Sequence, residues 1–529
     1  MTVAVARARY KDELHLSPEQ LKDICHAFVG ELRNGLREDS SLLMIPTMVD
    51  LLPDGHQSGE YFAIDFGGTT LRLLYTQLSA EPKSVDAYEV QQEAIPDRMR
   101  DCHVDAIFDY IVAQLIDFSE RISQSIREKS QLVVGFCFSF PVEQSAINAG
   151  TLIRWTKGYK ITGAEGQNPV DILKQAFTRQ GLKPIIPALV NDTVATLAGT
   201  RYADGQDTNV AVIMGTGTNA CYVEQLGHIS KWLPKFLPRT PDMVVNIEWA
   251  GFRPQAVRLL PEDEELDAQS QDPGSGPFEK LTGGLYLGDL ARRLMLRVGR
   301  EEGWFPKDQP PQPLTEYKGW ATRDMVACVH DESSDLQQTQ KILNERLGSM
   351  GAWQQLDVRR QVRDICVSVA KRSARLVAAA LSGLLLHLER AGPRGQPARP
   401  SNEDDEHPRH TNLNPQDAPS TGALHEGGVP MPTQEMLPPA EGGEVPRNVL
   451  AADGRLFEQF RAYRELLRDG IADTLGEEVA AGLVLKVTEG GAAFGAACVA
   501  AAAHAYVQTM GRDLPSSRTP GRSRTVSKE

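Results

Sequence analysis

Apolar positions along the chain fall into two rhythms. Short unbroken apolar runs, QLVVGFCFSF (131–140), KPIIPALV (183–190), NVAVIM (209–214) and GLVLKV (482–487), predict buried strands. Between them, DAIFDYIVAQLIDFSERI, NPVDILKQAFTRQG and TVATLAGTRYADG space their apolar residues three or four apart, the period of one helix face. The longest helical pattern runs from about residue 355 to 390. Strands alternating with helices predict an α/β architecture.

One plan occurs twice. AIDFGGTTLRLLY (63–75) and AVIMGTGTNACYV (211–223) each run apolar strand, glycine-threonine turn, second strand. Two related halves facing a shared cleft would produce this, and so would two unrelated hairpins. The first turn reads equally as a Gly-Gly hairpin or as a bare backbone cradle for phosphate, with Asp65, Gly67, Gly68 and Thr69 around it.

Composition narrows the class. Residues 391–447 hold 11 Pro and 7 Gly in 57 positions, which predicts a disordered insert in a surface loop. The tail, 509–529, reads as unstructured too. At 529 residues the chain exceeds the ~250–300 at which a single core stops growing, so more than one compact unit is expected. The net charge of −14 has no basic stripe to set against it, which argues against nucleic acid as a partner. Seven scattered cysteines without a CxxC pair argue against a disulfide frame or zinc site and for a reducing compartment. No apolar run reaches the ~18 residues that span a bilayer, and the N-terminal residues lack a secretory core. The KDEL at Lys11–Leu14 is internal and cannot be a retrieval address. The cytosol is the expected compartment, with a weak organelle-targeting role for the first residues left open.

The chain has no GxxxxGK[ST], so its phosphate grip is not of the Walker type. Residues Gly215–Ala220 match the loose dinucleotide fingerprint, which requires a helix to open at its third small residue. ACYVEQL follows instead and reads as a strand, and no acid stands ~20 residues beyond on the end of a following strand, so a nicotinamide enzyme is disfavoured.

YFAIDFGGTTLR, GFCFSFPVEQ, WTKGYKITGAEGQ, LVNDTVATLAG, MGTGTNACYVE, VNIEW and FEKLTGGLYLGDLARR stand in the order found in hexokinases. The resemblance covers Ser40 to Val507 apart from the insert, and SSLLMIPTMVDLLP and TRDMVACVHDESSDL are similar to plant-type members. It implies the actin-like ATPase (ribonuclease H-like) fold, two α/β domains around a central cleft. The implied small domain is 61–204, joined by helix 491–508; the large one is 1–60 with 205–490. The implied activity is ATP-dependent phosphorylation of the 6-hydroxyl of glucose and related hexoses, the entry step of glycolysis.

By the same resemblance, Asp192 is the general base, with Lys157 and Arg72 stabilising the transferred phosphoryl group. Ser139, Thr156, Lys157, Asn191, Asp192, Asn219, Glu248 and Glu279 are the implied sugar contacts. Asp65, Gly67, Gly68, Thr69, Thr70 and Arg72 form the first ATP turn, Gly215, Thr216 and Gly217 the second, and Asp453 and Gly454 the adenosine loop. Asp65 is also the implied Mg²⁺ residue, through water. Taken singly, Ser139 could end a strand, Asn191 could cap a helix, Glu248 could be a solvated strand position and Glu279 a first-turn helix acid.

The sequence departs from the family on the nucleotide side. Thr70 and Leu71 replace the usual Asn and Phe, and Gly490-Gly-Ala-Ala-Phe-Gly495 replaces an acid-Gly-Ser-Gly-x-Gly run. Ala492 lacks a capping hydroxyl, and Ala493 adds a methyl where a close approach to nucleotide is expected. The alternative function is therefore a hexokinase-like glucose sensor with weak or no catalysis, with the insert as a candidate protein contact.

Overall fold

The computed structural model describes residues 3–204, 208–231, 238–389, 433–435, 448–488 and 490–510. Most of the proposed insert and the tail beyond Met510 lie outside these residues. Residues 433–435 form a strand, and the last helix reaches Met510, one residue past the expected start of the tail.

The first sheet is built from β1 (Gly59–Phe66), β2 (Thr70–Leu78), β3 (Val85–Ala94), β4 (Val134–Phe138) and β5 (Leu189–Val190). Its order is β3-β2-β1-β4-β5, with β3, β2 and β1 antiparallel and β1, β4 and β5 parallel. The second sheet takes β6 (Val210–Met214), β7 (Thr218–Gln225), β8 (Asp242–Asn246), β9 (Thr433–Glu435), β10 (Asn448–Asp453) and β11 (Leu483–Val487). From a short edge strand, Ile45–Pro46, its order is β8-β7-β6-β10-β11-β9. The two sheets share one plan: three antiparallel strands followed by two parallel ones. That is the repeat visible at 63–75 and 211–223. Of the run 183–190 only β5 is strand, plus a bridge from Ile185 to Val133, because Pro184 and Pro187 remove two ladder donors.

Period-two burial divides the first sheet. Phe62, Ile64 and Phe66 of β1 face a core made with helix α1 (Val104–Arg121) and helix α2 (Pro169–Arg179). Tyr61 and Ala63 face the other way, into the larger core. There the helices exchange sheets. Helix α3 (Asp192–Asp204), which follows β5, packs on β6, β7 and β10. Helix α6 (Gly491–Met510), which follows β11, packs on β1 and β4. The two helices cross each other in close contact, so the halves are joined through them. Helix α5 (Leu356–Glu389) fills the core of the second half, over the span expected. No described helix is long and apolar enough to cross a membrane, and all seven cysteines are free.

One buried polar cluster pins α5 to the second sheet. The Glu224 carboxylate on β7 meets His387 Nε2 at 2.7 Å, Tyr222 Oη at 2.8 Å and His228 Nδ1 at 2.9 Å. Burial opposes its ionisation, but the hydrogen bonds from His387 and Tyr222 prevail and hold its pKa at about 2. The folded pKa is depressed, so the stability it brings is present above the ordinary glutamate value and lost as pH falls toward 2. Glu224→Gln should therefore cost about 3 kcal/mol at neutral pH and flatten the acid limb between pH 4.5 and 3. Urea unfolding across that range checks it; an unchanged acid limb refutes it.

Candidate active site

A cleft of about 610 Å³ lies between the two sheets, and every residue expected to touch sugar, nucleotide or metal lines it. Strand ends and turns from both halves supply them, which is why residues as far apart as Asp65 and Asp453 share one wall.

The hairpin turns Gly67–Thr69 and Gly215–Gly217 both line the cleft. Both are genuine hairpins, so the bland reading of the first turn and its place in the cleft are compatible. Gly67 N–H bonds Thr70 O at 3.2 Å, closing the first turn, and Leu71 is buried in the small core. Gly215 N–H bonds Gly217 O at 3.0 Å, and Thr218–Gln225 continues as strand rather than helix, against the dinucleotide reading. Gly284 N–H to Gly215 O and Leu285 N–H to Thr216 O, both 2.9 Å, stitch the second turn to the segment after Glu279. A Cβ on Gly217 would overlap Glu279 Oε2, so only glycine allows that carboxylate to lie against the turn.

Asp65 and Arg72 sit opposite each other in the β1–β2 ladder, and Arg72 Nη1 donates to Asp65 Oδ2 at 3.0 Å. Gln92 Oε1 receives Arg72 Nε at 2.9 Å. Burial pushes the Asp65 pKa up, with the Arg72 guanidinium pulling it back and the Asp192 charge adding to the rise. Asp65 Oδ1 is buried and accepts no N–H or O–H among the described residues. Asp453, at the end of β10, is buried beside Glu458; burial and that neighbour push its pKa well up, against the pull of Arg72. The N–H of Gly454 donates to Asp453 Oδ1 at 2.6 Å.

Asp192 opens α3, where Thr193 N–H donates to its Oδ1 at 2.9 Å. Its Oδ2 lies 4.0 Å from Lys157 Nζ, which also donates to Ser139 O at 2.8 Å. Thr156 precedes Lys157 on the same wall. Asn191 does cap α3, its Oδ1 accepting Thr193 N–H at 3.1 Å and Thr193 Oγ1 at 2.9 Å, while its side chain still lines the cleft. Glu279 is a first-turn acid of the short helix α4 (Pro277–Thr282) and accepts Thr218 N–H at 3.1 Å. Glu248 is not the solvated strand position it could have been taken for singly: it lies past the end of β8, half-buried, with a left-handed φ of 52°. Burial pushes the pKa of both Glu248 and Glu279 up, with Asp192 adding to the rise and Lys157 opposing it.

Sequence reasoning passed over Asn246, Thr218, Gln92 and Glu458. Asn246 stands two before Glu248 in VNIEW, Thr218 directly follows the second turn, and Glu458 is one helical turn past Gly454; each spacing was a usable signal. Ala492 lines the cleft as expected. Ala493 does not: it is buried in the main core, so its methyl packs there rather than obstructing a ligand, contrary to expectation.

Residues 6–202 and 209–502 match family models described as Hexokinase. The chain is 36% identical over 510 residues to Hexokinase-1 of Nicotiana tabacum, covering 96% of this chain and 92% of that one. It is 35% identical over 490 residues to Hexokinase-2, chloroplastic, of the same plant, covering 92% and 88%. The solved hexokinase from Schistosoma mansoni complexed with glucose superposes with a TM-score of 0.74 at 25% identity, covering 94% of this chain and 98% of that one. The duplicated sheet, with its exchanged helices, is the actin-like ATPase fold. By sequence along nearly its whole length and by architecture, the chain belongs to the hexokinase family.

Proposed function

We propose that this enzyme transfers the γ-phosphoryl group of ATP to the 6-hydroxyl of glucose and related hexoses, with Asp192 as general base. The observation that carries the reading is the meeting of Asp192 and Lys157, 4.0 Å apart, between a wall of amides and carboxylates and two glycine-threonine turns. Hexose hydroxyls pair with Ser139, Thr156, Lys157, Asn191, Asn219, Glu248 and Glu279; a sugar lacking one leaves a buried partner unpaired and is rejected. Asp192 accepts the hydroxyl proton as the sugar oxygen bonds to the γ-phosphorus and the bond to the bridging oxygen of ADP breaks. ADP leaves with that electron pair, and the proton passes from Asp192 to solvent. Lys157 and Arg72 face the charge that spreads over the transferring oxygens in a loose transition state.

Thr69, Thr70 and Thr216, with the backbone of Gly67, Gly68, Gly215 and Gly217, serve the phosphates, and Asp453 and Gly454 the nucleoside. The donor set suits Mg²⁺, because Asp65 Oδ1 is a buried carboxylate oxygen with no N–H or O–H partner. Asp65 would hold the ion through water, and the ion supplies neutralising charge for the triphosphate. Residues 61–204 with 491–508 are the proposed small body, closing on 1–60 with 205–490 to exclude water. The compartment proposed is the cytosol, and a relative named chloroplastic supports assaying organelle fractions beside it.

A coupled assay with glucose, fructose and mannose, ATP and Mg²⁺ tests the activity. Tight calorimetric binding of glucose without turnover would support the sensor alternative instead. Ala492→Ser restores a hydroxyl at the start of α6, beside the nucleotide end. It should lower the KM for ATP by up to about fivefold, one capping hydrogen bond in magnitude, and leave the hexose KM unchanged.

A further inference from the structure

We infer that Asn246 is a positioning residue for hexose recognition: from behind the cleft wall it sets the orientation of Asn219 and Glu248. The inference rests on the proposed hexose site. Asn246 ends β8, is buried, and is not among the residues lining the cleft. Its Oδ1 accepts Asn219 Nδ2 at 2.9 Å and its Nδ2 donates to Glu248 Oε1 at 2.8 Å. Asn219 Nδ2 reaches the same Glu248 oxygen at 3.1 Å, which closes a ring of three side chains. The ring allows Asn219 one amide orientation. Its Oδ1 accepts the backbone N–H groups of Ala220 at 2.8 Å and Glu248 at 3.1 Å, so a flipped amide would set donor against donor there and acceptor against acceptor at Asn246.

Glu248 depends on the same contacts. Its backbone is left-handed, a conformation that persists in a non-glycine residue only where surroundings over-determine it. The two asparagines hold Oε1 of a half-buried carboxylate that feels the Asp192 and Glu279 charges, with Lys157 as the opposing cation. Removing Asn246 leaves Glu248 Oε1 with the Asn219 amide alone and takes from Asn219 Nδ2 its shortest acceptor, so the ring opens and both side chains gain freedom, while Asp192 and both phosphate turns keep their own partners.

The test uses the full chain, with steady-state kinetics and glucose calorimetry on Asn246→Ala and Asn246→Asp. Asn246→Ala should raise the KM and Kd for glucose about tenfold, the effect of one lost buried hydrogen-bond partner, with kcat and the KM for ATP within about twofold of wild type. Asn246→Asp keeps the acceptor for Asn219 but opposes Glu248 with a second carboxylate. Its glucose KM should exceed that of Asn246→Ala at neutral pH and fall as pH is lowered and a proton bridges the two oxygens. Asn246→Ala keeps Asp192, Lys157 and Glu279 and should lack that slope. An Asn246→Ala enzyme with lowered kcat at unchanged glucose KM, or with no change in either, overturns the inference. A wild type that binds glucose without turnover sinks the transferase reading alone, and the ratio of Kd values still decides the role of Asn246. A wild type that binds no glucose overturns both.

Discussion

Asp192→Ala is expected to lower kcat by about 10²- to 10⁴-fold, the contribution of a positioned general base, and to leave glucose affinity within a few-fold. The carboxylate stands at the first residue of α3, one oxygen held by Thr193 N–H and the other 4.0 Å from Lys157 Nζ. The truncation removes the proton acceptor, but Lys157 keeps its bond to the Ser139 carbonyl and the amide ring of Asn219, Asn246 and Glu248 is untouched. Ground-state contacts to the sugar therefore survive and the loss falls on the chemical step. Stopped-time assays of kcat with glucose calorimetry on the same preparation separate the two. Near-normal turnover would remove Asp192 from the role.

Gly495→Val should destabilise the protein by about 3 kcal/mol, at the upper end of overpacking penalties, and reduce activity even in the molecules that remain folded. A Cβ at position 495 would overlap the Ala195 carbonyl of α3, and Gly199 of α3 lies against Gly495 Cα at 3.3 Å from its own would-be Cβ. Backbone meets backbone at this crossing, so no rotamer change can make room. The helices must separate instead, and α3 carries Asn191 and Asp192 at its start. Denaturant midpoints give the stability loss, and specific activity at low denaturant reports the displaced site. A variant as stable as wild type would show that the crossing is looser than the contact implies.

Much of this architecture was legible because its signals are local. The strands 131–140, 209–214 and 482–487 and the helix near 355–390 rest on burial patterns that a short window contains. The duplicated strand-turn-strand plan was legible too, since each turn must bend its own chain whatever surrounds it, but it left two related halves and two unrelated hairpins equally open until the two sheets showed one topology. The exchange of α3 and α6 between sheets was not legible in the pattern, because a small-residue helix such as GAAFGAACVAAAAH fits against either face and chain order suggests the nearer sheet; only the family resemblance implied that helix 491–508 joins 61–204. The same limit explains Ala493. Its place after Gly490 and Gly491 suggested the ligand, but helical rotation turned it into the core.

The candidate site divides the same way. Side-chain chemistry was written in the chain: carboxylates at 65, 192, 248, 279 and 453, amides at 191 and 219, a lysine at 157, an arginine at 72 and two glycine-threonine turns. What each of them can donate, accept or hold is a property of the residue. Tertiary structure alone decided their burial and company, the desolvation that raises Glu248 and Glu279, the Asp65 oxygen that no N–H or O–H reaches, and the asparagine ring behind the wall. Those are energies of groups brought together from distant segments, and they come into being only when the sheets close the space between them.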